Sequence, residues 1–195
     1  MTRLAVFGYG SLVSRASIAD TLGRAAGPPI PARLAGWRRR WSIYRVNTAH
    51  EKVFERVDGA PFEHVVGLNI ERAPGASEAG WPNGALIELT EAELERLDRR
   101  EVRYDRVEVT ESAVSDGAEF DRVYAFTAKE GHFAAETPPD AIIIASYVSA
   151  CEAAFAELGP TAWEEFMATT GEFPAPVVDA RLVVDEIPEG NPREW

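Results

Sequence analysis

Leu4-Ala5-Val6-Phe7-Gly8-Tyr9-Gly10-Ser11-Leu12 is a short apolar run that passes into glycine and serine. It reads as a buried strand entering a glycine turn. A strand that ends in glycines ahead of a helix leaves backbone N–H groups uncovered. Such groups can hold a carboxylate, a phosphate or an oxyanion, because no side chain blocks the approach. Gly8 and Gly10 match the start of a dinucleotide fingerprint, but its third glycine falls on Val13. No Asp or Glu follows about twenty residues on at a strand end, so a nucleotide-binding reading is poor. Ser11 is flanked by Tyr9 and Val13 where a nucleophile elbow has glycines. The simpler alternative is a tight turn that needs only a flexible backbone.

Downstream of the turn, Ser14 to Leu22 reads as a short helix with Ser14 as N-cap and Gly23 at its end. Gly27 to Pro31 reads as a stiff linker. Ala35 to Tyr44, Val65 to Ile70 and Ala85 to Leu89 read as strands, with a polar loop at Arg72 to Asn83. Thr90 and Glu93 have capping-box spacing and open a helix. Tyr104 to Glu111 and Arg122 to Thr127 read as strands, with a turn at Asp116-Gly117 between them. Lys129 to Asp140 is a loop. Ile142 to Leu158 and Thr161 to Thr170 read as helices stopped by Gly159-Pro160 and Gly171. Val177 to Val184 returns as an edge strand, and the tail after Pro188 is irregular. Strands first and helices later point to an α+β fold, a curled mixed sheet or barrel. Residues 1–195 are expected to form a single domain.

Two charged residues sit on apolar faces. In the helix from Thr90, Leu94 and Leu97 mark the buried stripe, and Glu101 falls on it, with Asp98 beside it. A carboxylate facing the core is costly unless it is paired or its pKa rises. A raised pKa suits a general acid/base; pairing to an arginine would make the residue structural. In Trp37-Arg38-Arg39-Arg40-Trp41, period two puts Trp37, Arg39, Trp41 and Ile43 on one face. Arg39 could hold a substrate carboxylate, or pair with Glu101 or Asp98.

The composition narrows the function classes. Thirty-two acidic against 20 basic residues leave a net charge of -12 in 195 residues. That surface repels phosphate backbones and anionic membranes, so neither nucleic acid nor membrane is an expected partner. One cysteine and three histidines offer few metal ligands, and no metal is expected. His50, His64 and His132 read as solvated surface, as do Glu164-Glu165 and Asp185-Glu186, and Cys151 as a small core residue. The apolar stretch near Leu4 is too short for a signal peptide and the longest apolar run, Ala141 to Ala150, too short to span a bilayer, so a cytoplasmic location is expected.

The Tyr9-Gly10-Ser11-Leu12 turn, taken with Leu97-Asp98-Arg99-Arg100-Glu101-Val102-Arg103-Tyr104, resembles the γ-glutamylcyclotransferase superfamily. The family pattern is a Tyr-Gly-Ser turn after the first strand, then a glutamate at the end of a helix before a strand and an aromatic. Leu12 is closer to the glutathione-acting branch, whereas Val13-Ser14-Arg15 departs from that branch's usual continuation. The resemblance implies a curled mixed β-barrel flanked by helices. It also implies an enzyme of the lyase class that converts a γ-glutamyl amide, such as glutathione or a γ-glutamyl peptide or amine, to 5-oxoproline and a free amine. Glu101 would be the general acid/base, and the N–H groups of Gly10, Ser11 and Leu12 would hold a carboxylate or oxyanion. Tyr9, Tyr104 and Tyr147 would orient groups at the site. The implied partner is a small γ-glutamyl molecule, and no cofactor is implied. The alternative is a non-catalytic module that binds a small acidic metabolite, or mediates interactions, on the same fold.

Overall fold

The computed structural model describes residues 2–47 and 52–185. His50, Glu186 and the tail after Pro188 lie outside the described residues. The chain begins with β1 (Leu4–Gly8), a 3-10 turn at Ser11–Val13 and α1 (Arg15–Leu22). β2 (Ile30–Leu34), β3 (Trp37–Val46), β4 (Lys52–Arg56), β5 (His64–Arg72) and β6 (Asn83–Leu89) precede α2 (Glu91–Arg100). Then come β7 (Tyr104–Glu108), β8 (Ala113–Ser115), β9 (Arg122–Ala128) and β10 (Ala141–Ile144). α3 (Ala145–Ala156), α4 (Ala162–Thr170), β11 (Val177–Val178) and β12 (Ala180–Asp185) complete the described chain.

The strands form a six-stranded sheet in the order β7-β9-β1-β6-β2-β8 and a four-stranded sheet in the order β11-β10-β5-β3. Both are mixed: β1 runs parallel to β9 and antiparallel to β6, while β10 runs parallel to β5, which is antiparallel to β3. A bulge between Trp41 and Ile43 bends β3. The sheets curl into a half-barrel with helices around it. Asn69 on β5 accepts from the Ala128 N–H of β9 at 2.8 Å, which ties one sheet to the other. β4 and β12 pair separately as a two-stranded ribbon. Among the described residues, no helix is long and apolar enough to cross a membrane.

The local signals in the first half are realised. Ser14 caps α1 and Gly23 ends it at φ 69°. Thr90 and Glu93 form the reciprocal capping box of α2. Several segments differ from expectation. Ile142 to Ile144 is strand, with Ala141, because three β-branched residues are buried between parallel neighbours β5 and β11. Pro31 lies within β2, opposite Ala85; β8 pairs only from Ala32 onward, so no ladder bond on that side needs its missing N–H. The short strands β4 and β8 lack a clear alternation in the sequence.

Arg39 is the largest fully buried side chain, at 1% exposure. It neither lines the main cavity nor meets a carboxylate, so both roles expected of it give way to a third. Its Nε donates to Thr170 Oγ1 at 2.6 Å. Nη1 donates to the carbonyls of Tyr9 (3.2 Å) and Asn83 (2.7 Å). Nη2 donates to Asn83 Oδ1, the Phe166 carbonyl and Thr169 Oγ1 at 2.9–3.1 Å. The guanidinium lies 3.7 Å from the centre of the Phe166 ring. Burial lowers its pKa to about 9, so it remains a cation at neutral pH. The physical reason is its strand face: period two aims it inward at α4, away from Glu101 and Asp98. Those two pair instead with Arg100 and Arg106.

Arg39→Met should therefore destabilise the fold by at least about 3 kcal/mol. It strands several buried acceptors, each costing about 1–3 kcal/mol when left unpaired. Urea unfolding measures this, and a loss below about 1 kcal/mol would show that the acceptors find other donors.

Candidate active site

The turn after β1 owes its shape to two glycines on neighbouring strands. A Cβ on Gly84 of β6 would stand 2.2 Å from the Gly8 carbonyl, so only glycine lets the strands approach this closely. The 3-10 turn then begins. The Val13 N–H donates to the Gly10 carbonyl at 3.0 Å, and the Ser14 N–H to that of Ser11 at 3.1 Å. As at any helix start, the preceding N–H groups have no partner within the turn. Among the described residues, the N–H groups of Gly10, Ser11 and Leu12 have no backbone acceptor. All three residues line a cavity of about 550 Å³.

Glu101 reaches the same cavity from another direction. It is the C-cap of α2; its N–H donates to the Leu97 carbonyl at 2.8 Å, and its own carbonyl accepts from the Tyr104 N–H at 2.8 Å. That turn launches β7. The carboxylate is 16% exposed and lies 3.1 Å from Arg100 Nε. The carboxylate is thus paired, and unlike a purely structural ion pair it also lines the cavity. Arg100 is itself buried, and it donates to the Ser17 carbonyl (2.7 Å), Thr21 Oγ1 (2.8 Å) and Ser17 Oγ (2.7 Å) of α1.

Tyr9, Tyr104 and Tyr147 also line the cavity. The Tyr9 hydroxyl donates to the Phe126 carbonyl at 2.6 Å, and that of Tyr104 to the Leu68 carbonyl at 2.8 Å. The Tyr147 hydroxyl and Leu68 Cδ1 each lie 3.0 Å from where a Cβ on Gly10 would be. Burial raises the pKa of all three phenols above 10.0; the charge of Glu101 adds to the shift at Tyr9 and Tyr104. Cys151 is buried and free, and burial pushes its thiol up to about 12, which removes it as a nucleophile near neutral pH.

The same architecture occurs in solved structures. A γ-glutamyl cyclotransferase structure aligns at a TM-score of 0.59, covering 90% of this chain and 93% of its own, with 14% identity. An uncharacterized protein from Homo sapiens aligns at 0.57 over 91% of this chain and 94% of its own, also at 14% identity. A γ-glutamyl cyclotransferase specific to glutathione, from yeast, aligns at 0.51 over 87% and 96%, again at 14% identity. The chain has the γ-glutamylcyclotransferase fold. No protein-family model and no curated protein matches its sequence.

On this γ-glutamylcyclotransferase fold, the sequence reading placed the turn, Glu101 and the three tyrosines at one cavity, and it misplaced Arg39. It missed Arg100, although Arg100 lies three residues after Leu97 on the same helical stripe. It also missed Arg45, Lys52 and Arg103 as lining residues, and Phe54 and Leu182 on the β4–β12 ribbon. The last two meet only by pairing across most of the chain, which no local pattern reveals. His64 is half-buried rather than solvated, with Nδ1 3.1 Å from Asp140. Glu63, His64 and Asp140 could offer one metal ligand atom each within 4.8 Å of one another, but none of them lines the cavity holding Glu101.

The buried phenols make stability depend on pH on the alkaline side. Their folded pKa values exceed the unfolded value, so their contribution is complete below about pH 10. Above that, the unfolded chain loses phenolic protons that the native state keeps, and stability falls. Urea midpoints should decline as pH rises past about 10, with Tyr9→Phe flattening the decline. If Tyr9→Phe and the parent decline identically, the Tyr9 hydroxyl is not held protonated.

Proposed function

We propose that this chain is a cyclotransferase that converts a γ-glutamyl amide to 5-oxoproline and a free amine. The observation that carries the reading is the meeting, in one cavity, of the Glu101 carboxylate with the uncovered N–H groups of the Gly10–Leu12 turn. In this reaction the substrate's own α-amine attacks its γ-carbonyl carbon. A new C–N bond closes the five-membered ring and the amide C–N bond breaks. No protein nucleophile is required, which suits a site whose nearby cysteine is inert. Glu101 takes the proton from the attacking amine and delivers it to the leaving nitrogen, so protons balance without water. The turn N–H groups hold the glutamyl carboxylate or the developing oxyanion. Folding the substrate so that amine and carbonyl meet supplies much of the acceleration.

The tyrosines have a defined part in this scheme. Tyr9 and Tyr104 each commit their one hydroxyl proton to a backbone carbonyl. Towards a ligand they can only accept, which matches the N–H groups of an α-amine. Arg100 balances the charge of Glu101 and fixes its carboxylate from the α1 side.

Glu101→Gln preserves shape and removes the base. It should lower 5-oxoproline release by about 10²–10⁴-fold while calorimetry still detects substrate binding. Near-normal turnover would remove Glu101 from the mechanism; binding with no turnover by the parent protein would favour the binding-module reading. Gly10→Val should keep the fold by circular dichroism and lose binding, because its Cβ would meet the Tyr147 hydroxyl and Leu68. Unchanged affinity would place the anion cradle elsewhere.

A further inference from the structure

Of the three phenols that line the cavity, two have already committed their proton. Tyr9 donates to the Phe126 carbonyl at 2.6 Å and Tyr104 to the Leu68 carbonyl at 2.8 Å. A phenol has one proton to give, so both face a ligand as acceptors. Tyr147 differs. It lies in the first turn of α3, and Cys151 follows it at i+4 on the same helix face. The Tyr147 hydroxyl touches the Cys151 thiol and, among the described residues, gives its proton to no carbonyl or carboxylate oxygen. Sulfur is a weak acceptor, so that proton is free to turn towards a substrate oxygen.

The position of the hydroxyl fits that use. It lies 3.0 Å from where a Cβ on Gly10 would stand, so it borders the turn whose N–H groups have no backbone acceptor. The ring packs edge-on against Trp41 with centres 6.1 Å apart, which fixes its direction. The field of Glu101 acts on Tyr9 and Tyr104, whereas Tyr147 answers to Cys151 and to the other two phenols. The charge of buried Arg39 also reaches Tyr147. A firmly protonated donor near a fixed positive charge suits an oxygen that gains negative charge during reaction.

Resting on the cyclotransferase reading of this cavity, we propose that Tyr147 is a catalytic residue that donates a hydrogen bond to the γ-carbonyl oxygen of the substrate. As the α-amine attacks, the carbonyl π pair moves onto this oxygen, and the bond from Tyr147 tightens against the growing charge. When the pair returns, the amide C–N bond breaks and the carbonyl of 5-oxoproline forms. Tyr147 keeps its proton throughout; Glu101 carries the one that passes from the α-amine to the leaving nitrogen. The hydrogen bond is stronger in the transition state than in the ground state, so its contribution belongs to kcat rather than KM.

The test is kcat and KM for 5-oxoproline release by the intact protein from glutathione, γ-glutamylalanine and γ-glutamyl-p-nitroanilide. Tyr147→Phe keeps the ring and should lower kcat at least about tenfold, with KM within about threefold of the parent. A near-parental kcat overturns the proposal. So does a rise in KM alone, which would make Tyr147 a ground-state contact. Cys151→Ala removes the thiol neighbour and keeps the donor, so its kcat should stay within about threefold of the parent. A fall equal to that of Tyr147→Phe would make the pair a packing unit and overturn the assignment. The γ-thioamide analogue of the best substrate gives a readout that packing does not move, because sulfur accepts hydrogen bonds poorly. Exchanging oxygen for sulfur should slow the parent more than it slows Tyr147→Phe; equal slowing overturns the contact. Circular dichroism checks the folding of both variants. No release from any compound by the parent overturns the cyclotransferase reading itself, and this inference with it.

Discussion

One buried cation holds three distant parts of the chain in register. The acceptors of Arg39 come from the turn after β1, from the start of β6, and from the last turn of α4. Burying a charge without an opposite charge is ordinarily prohibitive, because desolvation must be matched donor by donor. Here carbonyl and hydroxyl oxygens supply that match, and an aromatic ring covers one face of the guanidinium. Tyr9 is consequently pinned twice: its carbonyl by Arg39 and its hydroxyl by Phe126. With Tyr9 fixed, the N–H groups of the next three residues have little freedom over where they point.

The opposite wall of the cavity is set by the end of a helix. A carboxylate at a helix C-terminus meets the negative end of the macrodipole and is disfavoured there. Arg99 and Arg100 in the last turn counter that field. Arg100 goes further, because its remaining donors reach across to α1 and fix the carboxylate between two helices. Two walls of the cavity are thus each held by a buried arginine, one without a carboxylate partner and one with.

The sequence was legible where structure is local. The apolar run into Gly8 and Gly10, the capping box at Thr90 and the stripe through Leu94, Leu97 and Glu101 all depend on residues within a few positions of each other, and all appear as read. Two features were not legible, for one reason. The partners of Arg39 are set by which element packs on β3, and period two states only that the residue faces inward. Ile142 to Ile144 matches a buried helix as well as a buried strand by periodicity, and only its parallel neighbours decide. The ribbon was half legible: Val177 to Val184 suggested an edge strand, but its partner in Lys52–Arg56 carries no alternation strong enough to nominate it.

The pairing of β4 with β12 also bears on the order in which the site is assembled. The turn, Glu101 and the tyrosines all lie within the first 147 residues, and their tethers reach no further than Thr170. The ribbon closes a loop of well over a hundred residues, the kind of contact whose chain entropy is recovered late in folding. It is also a separate two-stranded ladder, tied to the end of β3 by Arg45 and Asn47 and separated from β11 of the four-stranded sheet by Asp179 alone. The wall formed by the ladder is therefore among the last parts of the cavity to close, after the turn and Glu101 have their tethers.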